Sequence, residues 1–320
     1  MDDLPVEILW TMLREKVDPV DRVACRRVSR LWGQILCCGN GHKHSLHGGI
    51  FYADALAKRG WLNVLKWARA SGCEWDELAC ASAAEGGHLE VLQWARTNGC
   101  PWDAYTCTMA VKGGHLEVLR WARENGCPWD SWTYLCAARH GQLEALGWLK
   151  ANGCVYNEHA CANAARGGHI EVIKWLKADG CAWSVHICAC AAAEGGHFEL
   201  LQWLRANGCP WDSWTCANAA GSGRLDMLKW ARDNGCQWSA WTCIDAAKGG
   251  HLDVLQWARE NGCRWDERVC SRAAKYGRLQ VLQWVRANGC PWRADECMAK
   301  AKAHGHSAVA EWIALMDESA

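Results

Sequence analysis

Along most of the chain the apolar positions return in one short figure. In "GGHLEVLRWARENGCPWD", Gly113 to Asp130, the residues Leu116, Val118, Leu119, Trp121 and Ala122 recur at helical spacing and mark one wide apolar face. A glycine pair precedes them and Asn125-Gly126 follows, so the pattern predicts a helix over Leu116 to Glu124. Near copies run from Gly86 to Asp103 and from Gly249 to Asp266. Aligned on the glycine before this helix, the units start at Gly60, Gly87, Gly114, Gly141, Gly168, Gly196, Gly223, Gly250, Gly277 and Gly305. The step is 27 residues, except 28 at Gly168–Gly196 and Gly277–Gly305. Ten units thus tile residues 50–317.

A second short helix precedes this one in each unit. Asp103 stands where an N-cap is wanted, with Asp76, Asp130, Asn157, Ser184, Asp212, Ser239 and Asp266 at the same place. Their side-chain oxygens can accept from the exposed N–H groups of a helix start. Arg293 breaks the column. The helix is predicted over Ala104 to Lys112, with Cys107 and Ala110 toward its neighbours, and Gly113-Gly114 supplies the left-handed stop. Two helices this short cannot bury their apolar faces alone. The units must stack, and the expected fold is an all-α helical solenoid.

The stretch "AVKGGHLEVLRWARENGC", Ala110 to Cys127, resembles the ankyrin repeat in its alanines, Gly-His turn, LEVV-type helix and closing Asn-Gly. Ankyrin units run to about 33 residues, and the shortfall here falls after "NGC". The resemblance therefore implies tight turns in place of projecting hairpin fingers. The Thr-Pro-Leu-His opening is absent, with Thr106-Cys107, Thr215-Cys216 and Thr242-Cys243 near its place. Trp- and Cys-rich short units of this kind are found in proteins of giant viruses of amoebae and some protists.

Residues 1–36 stand outside the repeat. "LPVEILWTMLREKVDPVDRVACRRVSRLWGQI", Leu4 to Ile35, resembles the F-box in Leu4-Pro5, Glu7-Ile8-Leu9, Asp18-Pro19, Asp21, Val28-Ser29-Arg30 and Trp32. Three short helices are expected, broken about Pro19. The resemblance implies docking on the Skp-type adaptor of a cullin–RING ubiquitin ligase through Leu4, Pro5, Ile8, Leu9, Met12 and Val28. The polar stretch "CCGNGHKHSLHGG" in residues 37–49 reads as a linker to the solenoid of residues 50–317. The alternative is a non-catalytic scaffold whose N-terminal helices only cap the repeats.

Composition narrows the function. Lys plus Arg and Asp plus Glu both total 35, so no basic surplus points to nucleic acid. No apolar run reaches the roughly 18 residues of a membrane span, and "MDDLPVEILW" has no basic n-region, so a cytoplasmic protein is expected (host-cell cytoplasm if viral), with the nucleus also open. In that compartment the 22 cysteines read as small apolar packing residues. Their spacing of seven, as in Cys73/Cys80 and Cys100/Cys107, is not that of a zinc knuckle, and neither metal nor cofactor is expected. Of the 24 tryptophans, ten form one column (Trp67 to Trp312), and a second column lies in the turns, from Trp75 to Trp292 with Tyr156 standing in once. Constancy from unit to unit marks both as inter-repeat packing rather than a ladder for bases. His88, His115, His169, His197, His251 and His306 sit in the Gly-His turn, where Trp61, Gln142, Arg224 and Arg278 stand in other units. A column that exchanges His for Gln or Arg is not catalytic. No nucleophile–base set, phosphate loop or H-E-x-x-H motif occurs, so the chain reads as a non-enzyme.

What changes between units marks the binding face. Two residues after the cap stand Leu78, Tyr105, Trp132, His159, His186, Trp214, Trp241 and Arg268. Four residues on come Met109, Asn163, Asn218, Asp245 and Arg272, with Ser82, Cys136 and Cys190 in the other units. The i, i+4 offset puts both columns on one helix face, and the expectation is a concave surface for an unknown target protein.

Overall fold

The structure is a computed structural model that describes residues 50–70, 72–155, 157, 159–181 and 187–317, with side chains for all of these but 50–52, 67 and 317. The F-box-like segment and the linker lie outside the described residues, as do Tyr156, Trp183, Ser184 and His186. Twenty helices follow one another among the described residues, from Ile50–Lys58 to Ser307–Asp317, with no strand among them. They alternate in each unit between a first helix, such as Ala104–Gly113, and a second, such as Leu116–Glu124. Each first helix packs on the first helices of the neighbouring units and on its own second helix. The architecture is an all-helical solenoid in which helices pack in chain order.

Small residues make this stacking possible. The helix Ser213–Gly221 buries Thr215, Cys216, Ala217, Ala219 and Ala220, and Glu77–Glu85 buries Ala79, Cys80, Ala81, Ala83 and Ala84. Side chains of this size let helix axes approach closely on both sides at once. The second helix supplies the larger apolar groups: Val118, Leu119 and Ala122 are buried in Leu116–Glu124. Burying a leucine such as Leu119 contributes about 1.5–3 kcal/mol. Leu116 and Trp121 are only half-buried, so the apolar face is narrower than the sequence pattern predicts.

Among the described residues the predicted caps hold with one exception, Ser239. Asp76, Asp103, Asp130, Asp212 and Asp266 each accept from the N–H two residues on, and Asn157 does the same toward His159 at 3.0 Å. Ser239 occupies the cap position in extended backbone, but its hydroxyl makes no capping bond, and neither does Arg293. The glycine pair also divides its work. Gly114 alone is left-handed, at φ 79°, while Gly113 is the last residue of its helix. A Cβ on Gly113 would overlap the Glu85 carbonyl oxygen and press on the His115 ring, so this glycine is there for space.

At the same position in other units the histidines form a column of staples. His88, His169, His197, His251 and His306 donate Nε2–H to the carbonyls of Lys58, Arg139, Arg166, Gly221 and Lys275, at 2.9–3.1 Å. Each acceptor lies at the end of the preceding unit's first helix, where carbonyls lack intrahelical partners. Arg278 Nε makes the same bond to the Lys248 carbonyl at 3.1 Å, which accounts for arginine in this column.

The two tryptophan columns meet edge to face, as in Trp102–Trp121 at 5.9 Å and Trp238–Trp257 at 5.8 Å between ring centroids. The preceding unit covers the turn tryptophan with an arginine: Arg96 Cζ lies 4.1 Å from the Trp102 ring and Arg232 Cζ 4.3 Å from Trp238. The same guanidinium donates to the carbonyl of the closing cysteine, Cys100 or Cys236. These tryptophans therefore bind unit to unit, each arginine contact supplying about 0.5–1 kcal/mol. Among the described residues no helix is long and apolar enough to cross a membrane.

Candidate functional site

The capping carboxylate that starts five of the described first helices also anchors the residue that varies. Asp212 Oδ1 accepts from the Trp214 N–H at 2.9 Å, Asp130 from Trp132 at 2.9 Å, and Asp266 from Arg268 at 3.0 Å. A constant residue thus fixes the backbone of a changing one, and the changing side chain projects from the first turn. Trp132 is 64% exposed, Trp214 47% and Tyr105 46%. Leu78, His159 and Arg268 are exposed as well. Exposed aromatic surface on this scale marks a contact face more often than chance.

In three successive units these side chains touch. The Trp214 and Trp241 rings lie 5.4 Å apart at an interplanar angle of 34°, and Arg268 Cζ stands 4.9 Å from the Trp241 centroid. Trp241 is half-buried because its neighbours cover it. Asp266 grips the Arg268 guanidinium with both oxygens, Nε to Oδ1 at 3.0 Å and Nη2 to Oδ2 at 2.7 Å. The Arg268 side chain holds the Asp266 carboxyl below its ordinary range. The result is a pre-set stack of indole, indole and guanidinium.

The second predicted column is less open. Met109 and Asn163 are buried, at 7% and 8% exposed, and present no side chain to a partner. First helices pack against one another on both sides, and both side chains are buried in that stack. Asn163 Nδ2 turns back to its own helix, donating to the His159 carbonyl at 3.0 Å. Asn218, Asp245 and Arg272 are half-buried. Burial pushes the Asp245 carboxyl up, against the pull of Lys248 and Arg272. Cys136 and Cys190, in the same column, are pushed up by burial to about 11 and about 12, which leaves them protonated at neutral pH.

A third column went unread in the sequence, although an i, i+7 offset from the first would have found it. It lies in the last turn of the first helices, where cations complement the helix C-terminus. Lys58 and Lys112 both hold Glu85, at 2.7 and 2.9 Å, and Arg166 holds Glu194 at 2.7 Å. The two lysines keep the Glu85 carboxyl low. Further along, Lys248 and Lys275 lie 5.7 and 5.6 Å from the Tyr276 ring.

Cysteine contacts also depart from the sequence spacing. Cysteines 20 residues apart within a unit interact: the Cys161 thiol donates to the Cys181 sulfur at 3.1 Å, and in Cys80/Cys100 the side-chain interaction pushes the first thiol up and the second down. Among the described residues no three His, Cys, Asp or Glu side chains converge as metal ligands would. No protein-family model matches the chain, and no curated protein matches it.

Proposed function

We propose that the solenoid is a platform for a protein target and that the chain is the target receptor of a cullin–RING (SCF-type) ubiquitin ligase. In this reading the units are ankyrin-like and residues 1–36 are an F-box. The observation that carries the platform is the row of exposed, chemically varied side chains over a constant frame, above all the Trp214–Trp241–Arg268 stack. Aromatic rings and arginine supply most of the energy of protein interfaces. The adaptor half rests on the F-box resemblance of Leu4 to Ile35, with Leu4, Pro5, Ile8, Leu9, Met12 and Val28 on the Skp-type adaptor. The chain performs no chemistry on the target. It acts by proximity, holding the target where the transferring enzyme's effective concentration is high. A cytoplasmic location follows from this role.

Co-elution of the purified chain with a Skp-type adaptor–cullin complex is the test. Binding that disappears in the Leu4→Ala/Pro5→Ala variant supports the receptor. If the intact chain does not bind, a scaffold without ligase contact remains.

A further inference from the structure

The cysteine pairs are alike in register but not in access. Cys80/Cys100, Cys107/Cys127, Cys216/Cys236, Cys243/Cys263 and Cys270/Cys290 are sealed, each residue 0% exposed. Cys161/Cys181 holds the same two places, yet Cys181 is only half-buried. The two sulfurs stand 3.1 Å apart, with the Cys161 thiol donating to Cys181. This unit is also one of the two that run to 28 residues, and its extra residue falls after Cys181.

We infer that Cys161 and Cys181 are a redox-active thiol pair that a peroxide closes reversibly into a disulfide. A disulfide needs its sulfurs at about 2.05 Å, so closure requires an approach of about 1 Å. Side-chain rotation at the more open residue can supply that. Cys181 is the reacting residue because it is half-buried where Cys161 is sealed, and its sulfur accepts the Cys161 hydrogen bond. Donation to Cys181 and burial together hold the Cys161 proton in place.

The chemistry balances with hydrogen peroxide as oxidant. Cys181 gives its proton to solvent, the thiolate attacks one peroxide oxygen, the O–O bond breaks, and the departing hydroxide takes up a proton to leave as water, giving Cys181 sulfenic acid. The Cys161 sulfur then attacks the Cys181 sulfur, the S–O bond breaks, and water leaves with the Cys161 proton. Two thiols and one peroxide become one disulfide and two waters. A dithiol reductant reverses the change. The bond would tie the helix His159–Gly167 to the end of Ile170–Ala178 within one unit.

The test uses the full-length, reduced, folded protein. Stoichiometric hydrogen peroxide is added, remaining thiols are blocked with N-ethylmaleimide, and a non-reducing digest is read by mass spectrometry. The inference expects a peptide pair joined at Cys161 and Cys181, two hydrogens lighter than the separate thiols and released by dithiothreitol. The sealed pairs stay unlinked until the protein is denatured. Cys161→Ser should leave Cys181 trapped as a dimedone adduct of its sulfenic acid, and circular dichroism checks that this variant folds. Absence of the 161–181 link in the intact chain, or earlier linking of a sealed pair, overturns the inference. So does Cys181 oxidation in the intact chain that stops at sulfenic acid.

Discussion

The Nε2–H of His169 donates to the backbone carbonyl of Arg139, 3.0 Å away and 30 residues earlier in the chain. Desolvation lowers the His169 pKa from its ordinary 6.5, with His197 and His140 adding repulsion. The unfolded chain therefore takes up this proton first as pH falls. Stability from this group is whole above the ordinary value and is lost as pH drops through it toward the folded one. The thermal midpoint should fall on acidification from pH 7 to about 5.5, and less steeply in His169→Gln. Glutamine is compatible with the site, since Gln142 stands there naturally. An unchanged slope in the variant would show that His169 is not the titrating staple.

The glycine beneath that ring separates space from conformation. A Cβ on Gly167 would overlap the Arg139 carbonyl and the His169 ring, whereas Gly153, at φ 79°, has nothing within 4 Å of such an atom. Gly153→Ala should cost about 1–2 kcal/mol, the left-handed penalty alone. Gly167→Ala should cost about 2–4 kcal/mol, through overpacking and a displaced staple. Urea denaturation of both variants decides. Equal costs would remove the steric role of the first glycine.

Caps that look alike in sequence should differ in worth. Asp212 accepts from Trp214 N–H, while the Ser239 hydroxyl caps nothing. Asp212→Ala should lose about 1 kcal/mol and Ser239→Ala less than about 0.5 kcal/mol in the same denaturation assay. A Ser239 loss as large as that of Asp212 would contradict the observed geometry.

Both helices of each unit were legible because their signals are local. The cap at Asp103, the Leu116–Ala122 stripe and the left-handed Gly114 each act within a few residues. Contacts made by stacking were not. Cys100 and Cys107 are near in the chain, but the Cys161 and Cys181 sulfurs, 20 residues apart, meet where the end of a second helix returns to its own first helix. The histidine column reads as a turn residue until the preceding unit's carbonyl is in place. The placement of the first varying column was legible from its variation, since Trp132 and Trp214 are exposed. Met109 and Asn163 were misread because helical period cannot tell which edge of a face a neighbour covers. The residues proposed to meet an adaptor, in the F-box-like segment, lie outside the described residues.

Exposed and stacking side chains should part company in a stability assay. Trp132→Ala removes a side chain that is 64% exposed and should change unfolding free energy by no more than about 0.5 kcal/mol. Leu119→Ala empties a fully buried site and should cost about 2–5 kcal/mol. A large loss at Trp132 would make it part of the frame rather than of the face.

The central claim, one chain with separate adaptor and target surfaces, is tested most directly by quantitative affinity capture with three full-length chains: intact, Leu4→Ala/Pro5→Ala, and Trp214→Ala/Trp241→Ala/Arg268→Ala. The account predicts that the first variant loses the adaptor and cullin but keeps the target. The second should keep adaptor and cullin and weaken the target at least about tenfold, the equivalent of about 1.4 kcal/mol. Identical partners and amounts from all three chains would contradict it.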